Sequence, residues 1–173
     1  DYMISDRLLQ LFFWVITDGT HRRNFGEISV YQKKYNSVVE SLLDDSTTRS
    51  IHPQTGVTQY RITGTLRKKL KPYLSMEALW KLTTRLSVRQ LNLARKAIYL
   101  AEGSRGHTTA KSFRFISQYG RYRDLLQFVW FYAGYNCKLG KRGFYERSYT
   151  AAKYRSPEVV WYRGKVWCPS TPN

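Results

Sequence analysis

Two acids in this chain have matching surroundings. Asp18 closes the apolar run Leu8-Leu9-Gln10-Leu11-Phe12-Phe13-Trp14-Val15-Ile16-Thr17 and is followed by Gly19-Thr20. Glu102 closes Leu93-Ala94-Arg95-Lys96-Ala97-Ile98-Tyr99-Leu100-Ala101 and is followed by Gly103-Ser104. Each acid ends a helix-like segment, just before a glycine and a hydroxyl residue. A helix C-terminus exposes carbonyl oxygens and carries partial negative charge. Two carboxylates at two such ends make an oxygen-rich, negative site suited to a hard divalent cation such as Mg²⁺. Held close without a cation, the two would repel. With a cation, the site can acidify a bound water and stabilise the oxygens of a phosphodiester under attack. One acid at a helix end is ordinary; the matched pair carries the reading.

The segments around the acids must position them. Apolar spacing predicts a helix over 6–17, capped by Ser5 or Asp6 and ended by Gly19 as a C-cap-type residue. A basic link, His21-Arg22-Arg23-Asn24, leads to a strand over 27–32 that alternates polar and apolar. A helix follows over 35–43. A hairpin then runs over 48–52 and 57–63 across Pro53-Gln54-Thr55-Gly56, and a helix over 67–82 is kinked at Pro72. The pattern restarts with a helix over 90–101 ended by Gly103 and a basic turn, Arg105-Gly106-His107. A strand over 112–118, a helix over 122–132 and a second hairpin around Gly140-Lys141-Arg142-Gly143 complete it.

The halves align element by element, each reading helix, two strands, helix, two strands. Tyr35 with Val38, Val39, Leu42 and Leu43 matches Tyr122 with Leu125, Leu126, Val129 and Trp130. The expected fold is α+β, an internal duplication with pseudo-two-fold symmetry. The first repeat spans 1–86, the second 87–156, and 157–173 is a C-terminal extension.

Charge names the class of partner. The 173 residues carry a formal net charge of +17 on a chain whose 42% apolar content supports a real core. A folded chain that basic points to a polyanion, here double-stranded DNA. Alternation sends Ile28, Val30, Phe113 and Phe115 into the core. Glu27, Ser29, Tyr31 and Lys33, and Arg114, Ile116 and Gln118, then face out. Arg49, His52, Gln59 and Arg61 of the first hairpin join that face, as do Lys138, Lys141, Arg142 and Arg147 of the second. Arg22, Arg23, Arg105 and His107 add positive charge beside the acids. A sheet ribbon of this kind fits the major groove, where Arg and Gln read guanine and adenine edges.

Other classes fit poorly. The longest apolar run is too short to span a bilayer, and no membrane partner is expected. The opening Asp1-Tyr2-Met3 lacks the basic start of a secretory signal. Cys137 and Cys168 suit neither a disulfide framework nor, with three histidines in the chain, a zinc site. A cytoplasmic location is expected, in a prokaryotic or phage-infected cell.

The two motif copies resemble the LAGLIDADG homing endonucleases in their single-chain, two-repeat form. The resemblance covers roughly 6–153; Ile98-Tyr99-Leu100-Ala101-Glu102-Gly103 is the more typical copy, and Ile28-Ser29-Val30-Tyr31-Gln32-Lys33 and Thr58-Gln59-Tyr60-Arg61 extend it. It implies an αββαββα unit used twice, with motif helices packed at the interface and two saddle-shaped antiparallel sheets astride DNA. It further implies a monomeric, Mg²⁺-dependent enzyme that cuts both strands of a long specific site, with Ca²⁺ supporting binding without cleavage. Asp18 and Glu102 would hold metal, helped by the carbonyls of Thr17 and Ala101, and Gln32, Lys33 and Gln118 would assist catalysis. A binding protein or RNA maturase that does not cut is the alternative. The sequence departs at the helix crossing: a small residue, Ala97, stands in the second copy, but Phe13 in the first. The tail, Val159 to Asn173, resembles the return of an intein chain into its splicing domain. Splicing itself is not expected, because no N-terminal nucleophile or terminal His-Asn is present.

Overall fold

The structure is a computed structural model; it describes residues 3–22, 27–105, 113–115, 120–135, 137–140 and 143–146. The most apolar stretch forms helix α1, Asp6–Asp18. Ser5 caps it, its side chain accepting from the Leu8 N–H at 3.3 Å. Leu9 and every residue from Leu11 to Ile16 are buried, as befits a helix that is apolar nearly all round.

Helix α5, Val88–Glu102, packs beside α1. Ser87 and Gln90 form a capping box at its start. The Ser87 N–H donates to Gln90 Oε1 (3.2 Å) and the Gln90 N–H to Ser87 Oγ (3.3 Å). The starts of the two helices are tied by Arg89, which donates to both carboxylate oxygens of Asp6 at 2.6 and 2.9 Å. The pair is exposed, so its role is alignment more than stability. The Arg89 guanidinium holds the Asp6 carboxyl below the usual range. Phe13 at the helix crossing is fully buried, as are Ala94 and, at 1% exposure, Ala97. Large side chains line α1, while α5 buries the small Ala94 and Ala97 together with Leu91 and Ile98.

After α1 come β1 (Gly19–Arg22), β2 (Glu27–Gln32), α2 (Asn36–Leu42), β3 (Thr48–Ile51) and β4 (Thr58–Ile62). After α5 come β5 (Gly103–Arg105), β6 (Phe113–Phe115), α6 (Gly120–Tyr132), β7 (Cys137–Gly140) and β8 (Gly143–Glu146). Two four-stranded antiparallel sheets result, ordered β1-β2-β4-β3 and β5-β6-β8-β7. The same order twice is the expected duplication, and the expected α+β class holds. The helices cover one face of the first sheet, where Ile28, Val30, Tyr60 and Ile62 are buried. Arg7 joins α1 to the end of α2 by donating to the Leu42 carbonyl at 3.1 Å.

Three local expectations change. The link after Gly19 is in part a strand, since His21 and Arg22 belong to β1. Pro72 ends a helix rather than kinking one: α3 (Gly64–Leu70) and α4 (Met76–Thr83) are separated by a 3-10 turn at Lys71–Tyr73. A proline supplies no N–H to the helix ladder, and the Ser75 side chain, accepting from Ala78 at 3.2 Å, starts a new helix. Gly19 ends α1 as expected, but not in a left-handed conformation. Its backbone is extended, φ −127° and ψ 175°, and it opens β1. Glycine is required by proximity instead: a Cβ there would lie 2.5 Å from the Ser29 carbonyl oxygen and 2.6 Å from that of Val15.

Candidate functional site

Asp18 is delivered by α1 with no loop after it, because β1 starts at the next residue. Its carboxylate is half-buried against the first sheet. Burial pushes its pKa up to about 6, since a charged carboxylate loses hydration there. Among the described residues its hydrogen-bond partner is Gln32, whose Nε2 donates to Asp18 Oδ2 at 2.8 Å.

Gln32 is fixed from its other end. Its Oε1 accepts from the backbone N–H groups of Lys33 (2.8 Å), Lys34 (2.8 Å) and Tyr35 (3.4 Å). These lead into α2, whose N-cap residue, Tyr35, offers no side-chain cap. With the oxygen committed to backbone donors, the amide nitrogen must face Asp18. One buried side chain (6% exposed) thus gathers the turn that leads into α2 and orients an acid.

Glu102 ends α5 as Asp18 ends α1, and β5 begins at Gly103. Gly19 pairs with Val30 on β2, and Gly103 with Phe115 on β6, so each acid enters its sheet at the equivalent point. Thr17 and Ala101 precede them. The Thr17 hydroxyl donates back to the Phe13 carbonyl at 2.7 Å. Carboxylate and backbone carbonyl oxygens form a donor set that fits a hard divalent cation. Among the described residues no group of three or more His, Cys, Asp or Glu comes together. A metal held here would rest on the two acids and carbonyl oxygens, not on a closed cage of three or more such side chains.

Register sorts the expected DNA face. Ser29 pairs with Arg61 and Tyr31 with Gln59, while Thr48 pairs with Arg61 and Ser50 with Gln59. These residues share the side of the first sheet opposite the helices. Lys33 is exposed, its side-chain end beside Gly56 rather than on Asp18. His52 is exposed at the hairpin tip. Ser29 departs from the expectation of an open strand face: it is fully buried, closed over by neighbours on the same face.

Arg49 is a correction. It pairs with Tyr60, whose row faces the helices. Its guanidinium lies 3.1 Å from Glu40 of α2, and Glu40 also accepts from the Tyr60 hydroxyl at 2.9 Å. The residue type suggested DNA, but strand parity turns it toward helix α2.

In the second sheet Arg114 pairs with Ser104 and Tyr145, and Lys138 with Tyr145. That row is equivalent in register to Thr20–Ser29–Arg61–Thr48. Arg105 pairs with Phe113, in the row equivalent to His21–Ile28–Ile62, and so is not grouped with them. Arg22 lies in β1 opposite Glu27. Arg23, His107, Gln118, Lys141, Arg142, Arg147 and the 157–173 extension lie outside the described residues.

Sequence reasoning missed the central role of Glu27. Its Oε1 accepts from Ser29 Oγ (3.1 Å), Arg61 Nε (3.1 Å) and Gln59 Nε2 (3.5 Å). Alternation put all four residues on one face, but only the β2–β4 register shows that they meet.

Two like four-stranded sheets, each entered from one of two packed helices, make a LAGLIDADG-like fold. Solved structures with this architecture include I-DmoI in complex with DNA and Mn, at a TM-score of 0.53 and 15% identity over 82% of this chain and 87% of that one. A variant of I-DmoI, itself described as a homing endonuclease, in complex with its target DNA and Mg gives 0.53 and 16%. Full-length DUF199/WhiA from Thermatoga maritima gives 0.53 and 10%, over 86% of this chain and 53% of that one. At these identities the likeness is one of fold. No family profile matches the chain, and no curated protein sequence does. Among the described residues no helix is long and apolar enough to cross a membrane.

Proposed function

We propose that the chain is a sequence-specific endonuclease that binds a long double-stranded DNA site as a monomer and cuts both strands. The observation that carries the reading is the equivalent placement of Asp18 and Glu102, each ending a packed helix at the mouth of one sheet. The net charge of +17 supports a DNA partner, as do the DNA complexes of I-DmoI. Asp18, Glu102 and the carbonyls of Thr17 and Ala101 would hold Mg²⁺, which when bound supplies an activated water and charge stabilisation at the phosphate. Gln32 holds the Asp18 carboxylate in place, and Lys33 and Gln118 would assist catalysis. Residues 1–86 and 87–156 form the two repeats, and 157–173 is the re-entry into an intein splicing domain.

The test uses a plasmid carrying the uninterrupted form of the gene that encodes the chain. Double-strand cleavage with Mg²⁺ but not Ca²⁺, lost in Asp18→Asn and in Glu102→Gln, is the expected result. Binding with no cleavage in any metal refutes the enzyme reading. It leaves the second one, a nucleic-acid-binding protein or RNA maturase. The fold likeness to WhiA, which its structure does not describe as a nuclease, favours that alternative.

A further inference from the structure

The outer face of the first sheet holds an acid where a DNA-binding surface should avoid one. Glu27 sits there among Ser29, Tyr31, Gln59 and Arg61. Its contacts explain it. The Ser29 hydroxyl spends its proton on Glu27, so the Ser29 oxygen can only accept from Gln59, at 3.3 Å. Gln59 Nε2 also donates to Tyr31 Oη at 3.3 Å and to Glu27 at 3.5 Å. Turning the amide over would set its carbonyl against the Glu27 carboxylate. The NH₂ group of Gln59 is therefore committed within the protein, and its Oε1 is left as the group to offer.

A free glutamine reads adenine with both ends of its amide, at N6 and N7. Gln59 has lost the donor half of that pairing. Beside it lies a hollow of about 440 Å³ lined mainly by apolar surface, from Tyr31, Ile51, Pro53 and Val57 with His52 at its edge. Cytosine offers an N4 amino donor next to C5, an apolar edge, in the major groove. Adenine would place its N7 acceptor there instead.

We propose that Gln59 reads a cytosine through Oε1 alone, with Glu27, Ser29 and Tyr31 as positioning residues that exclude the adenine mode. This inference rests on the DNA-binding reading above. It makes the hairpin β3–β4 a one-base sieve whose specificity is set by residues on β2.

The experiment selects bound duplexes from a random-sequence DNA library with Ca²⁺ present, then sequences them. The wild-type protein is expected to enrich one consensus, with a cytosine that Gln59→Leu makes indifferent. The preference at that position should fall by about ten-fold, the lower part of what a good base contact supplies. Glu27→Ala should shift that position toward adenine, because it removes one acceptor of the Gln59 NH₂ and frees the Ser29 hydroxyl proton, so that the amide is no longer held one way round; a merely structural role of Glu27 would weaken all positions alike. Carbon-5 methylation of the cytosine, which fills the hollow, should leave binding equal or tighter. An adenine, guanine or thymine at the Gln59-dependent position in the wild type overturns the proposal. So does an unchanged base preference in Glu27→Ala with an unchanged melting temperature. A library that yields no consensus refutes the DNA-specificity reading itself, which separates the two failures.

Discussion

Asp18→Asn should make the metal-free protein more stable. Burial raises the Asp18 pKa from 3.8 to about 6, a shift of about 2 units, or about 3 kcal/mol at 1.4 kcal/mol per unit. The carboxylate is only half-buried, and solvent screening reduces this to about 1–2 kcal/mol. Asparagine keeps an oxygen that accepts from Gln32, so the 2.8 Å hydrogen bond survives while the buried charge goes. For a chain of this size the gain corresponds to a rise of about 2–8 °C in melting temperature. The folded state binds the Asp18 proton more tightly than the unfolded chain does, so stability rises as pH falls through the folded pKa. The penalty is full above pH 6, shrinks toward pH 3.8 and vanishes below it. Thermal unfolding of both proteins in chelator, from pH 7.5 to about 4, should show a gap that closes as the solution is acidified. An asparagine variant less stable at neutral pH, or a gap that ignores pH, refutes the account of Asp18 as a charge stored at a cost.

Gly19→Ala should destabilise the fold by about 3 kcal/mol, because the new Cβ meets backbone atoms of Ser29 and Val15 that cannot move aside; chemical denaturation measures it, and an unchanged midpoint contradicts the close approach. Ala97→Leu overfills the α1–α5 seam, where Ala97 is 1% exposed, and should cost about 1–3 kcal/mol by the same assay. Arg61→Gln should weaken DNA binding and flatten its salt dependence by roughly one counterion. Arg49→Gln, on the helix side of the sheet, should do neither; filter binding across a salt series distinguishes them, and equal losses would show the face assignment to be wrong.

The helices and the duplication were legible in the sequence because apolar periodicity is a local property. Leu8 to Ile16 is apolar enough to be nothing but a core helix, and its echo at Leu93 to Ala101 fixes the repeat. What pairs with what was not legible. Arg49 and Arg61 are alike as residues, and only strand parity sends one to Glu40 and the other to Glu27. Ser29 looked like an open contact and is buried, because its neighbours across the sheet close over it. Gly19 was visible as a special position for a different reason: the chain's crowding against Val15 and Ser29 depends on how α1 meets β2, which no local pattern encodes. Gln32 could be placed near the acid from the family resemblance, but its second bond set, to the start of α2, appears only in three dimensions.

The absence of any linker between Asp18 and Gly19 has a consequence for how such a protein changes over generations. The acid, the first strand and its β2 partner form one stiff piece, locked by the Gly19 approach and the Gln32 bond. Drift in β1 or β2 is felt at the acid. In the sheet, the hairpin at the far edge, β3 and its turn at Pro53 to Gly56, is joined to that piece through β4. Mutation can rewrite its tip without disturbing the chemistry. For a chain that reads DNA as proposed, a lineage following a changing target sequence can therefore adapt at the hairpin edge and stay constant at the helix edge, and variation among descendants should be graded across the sheet in that direction.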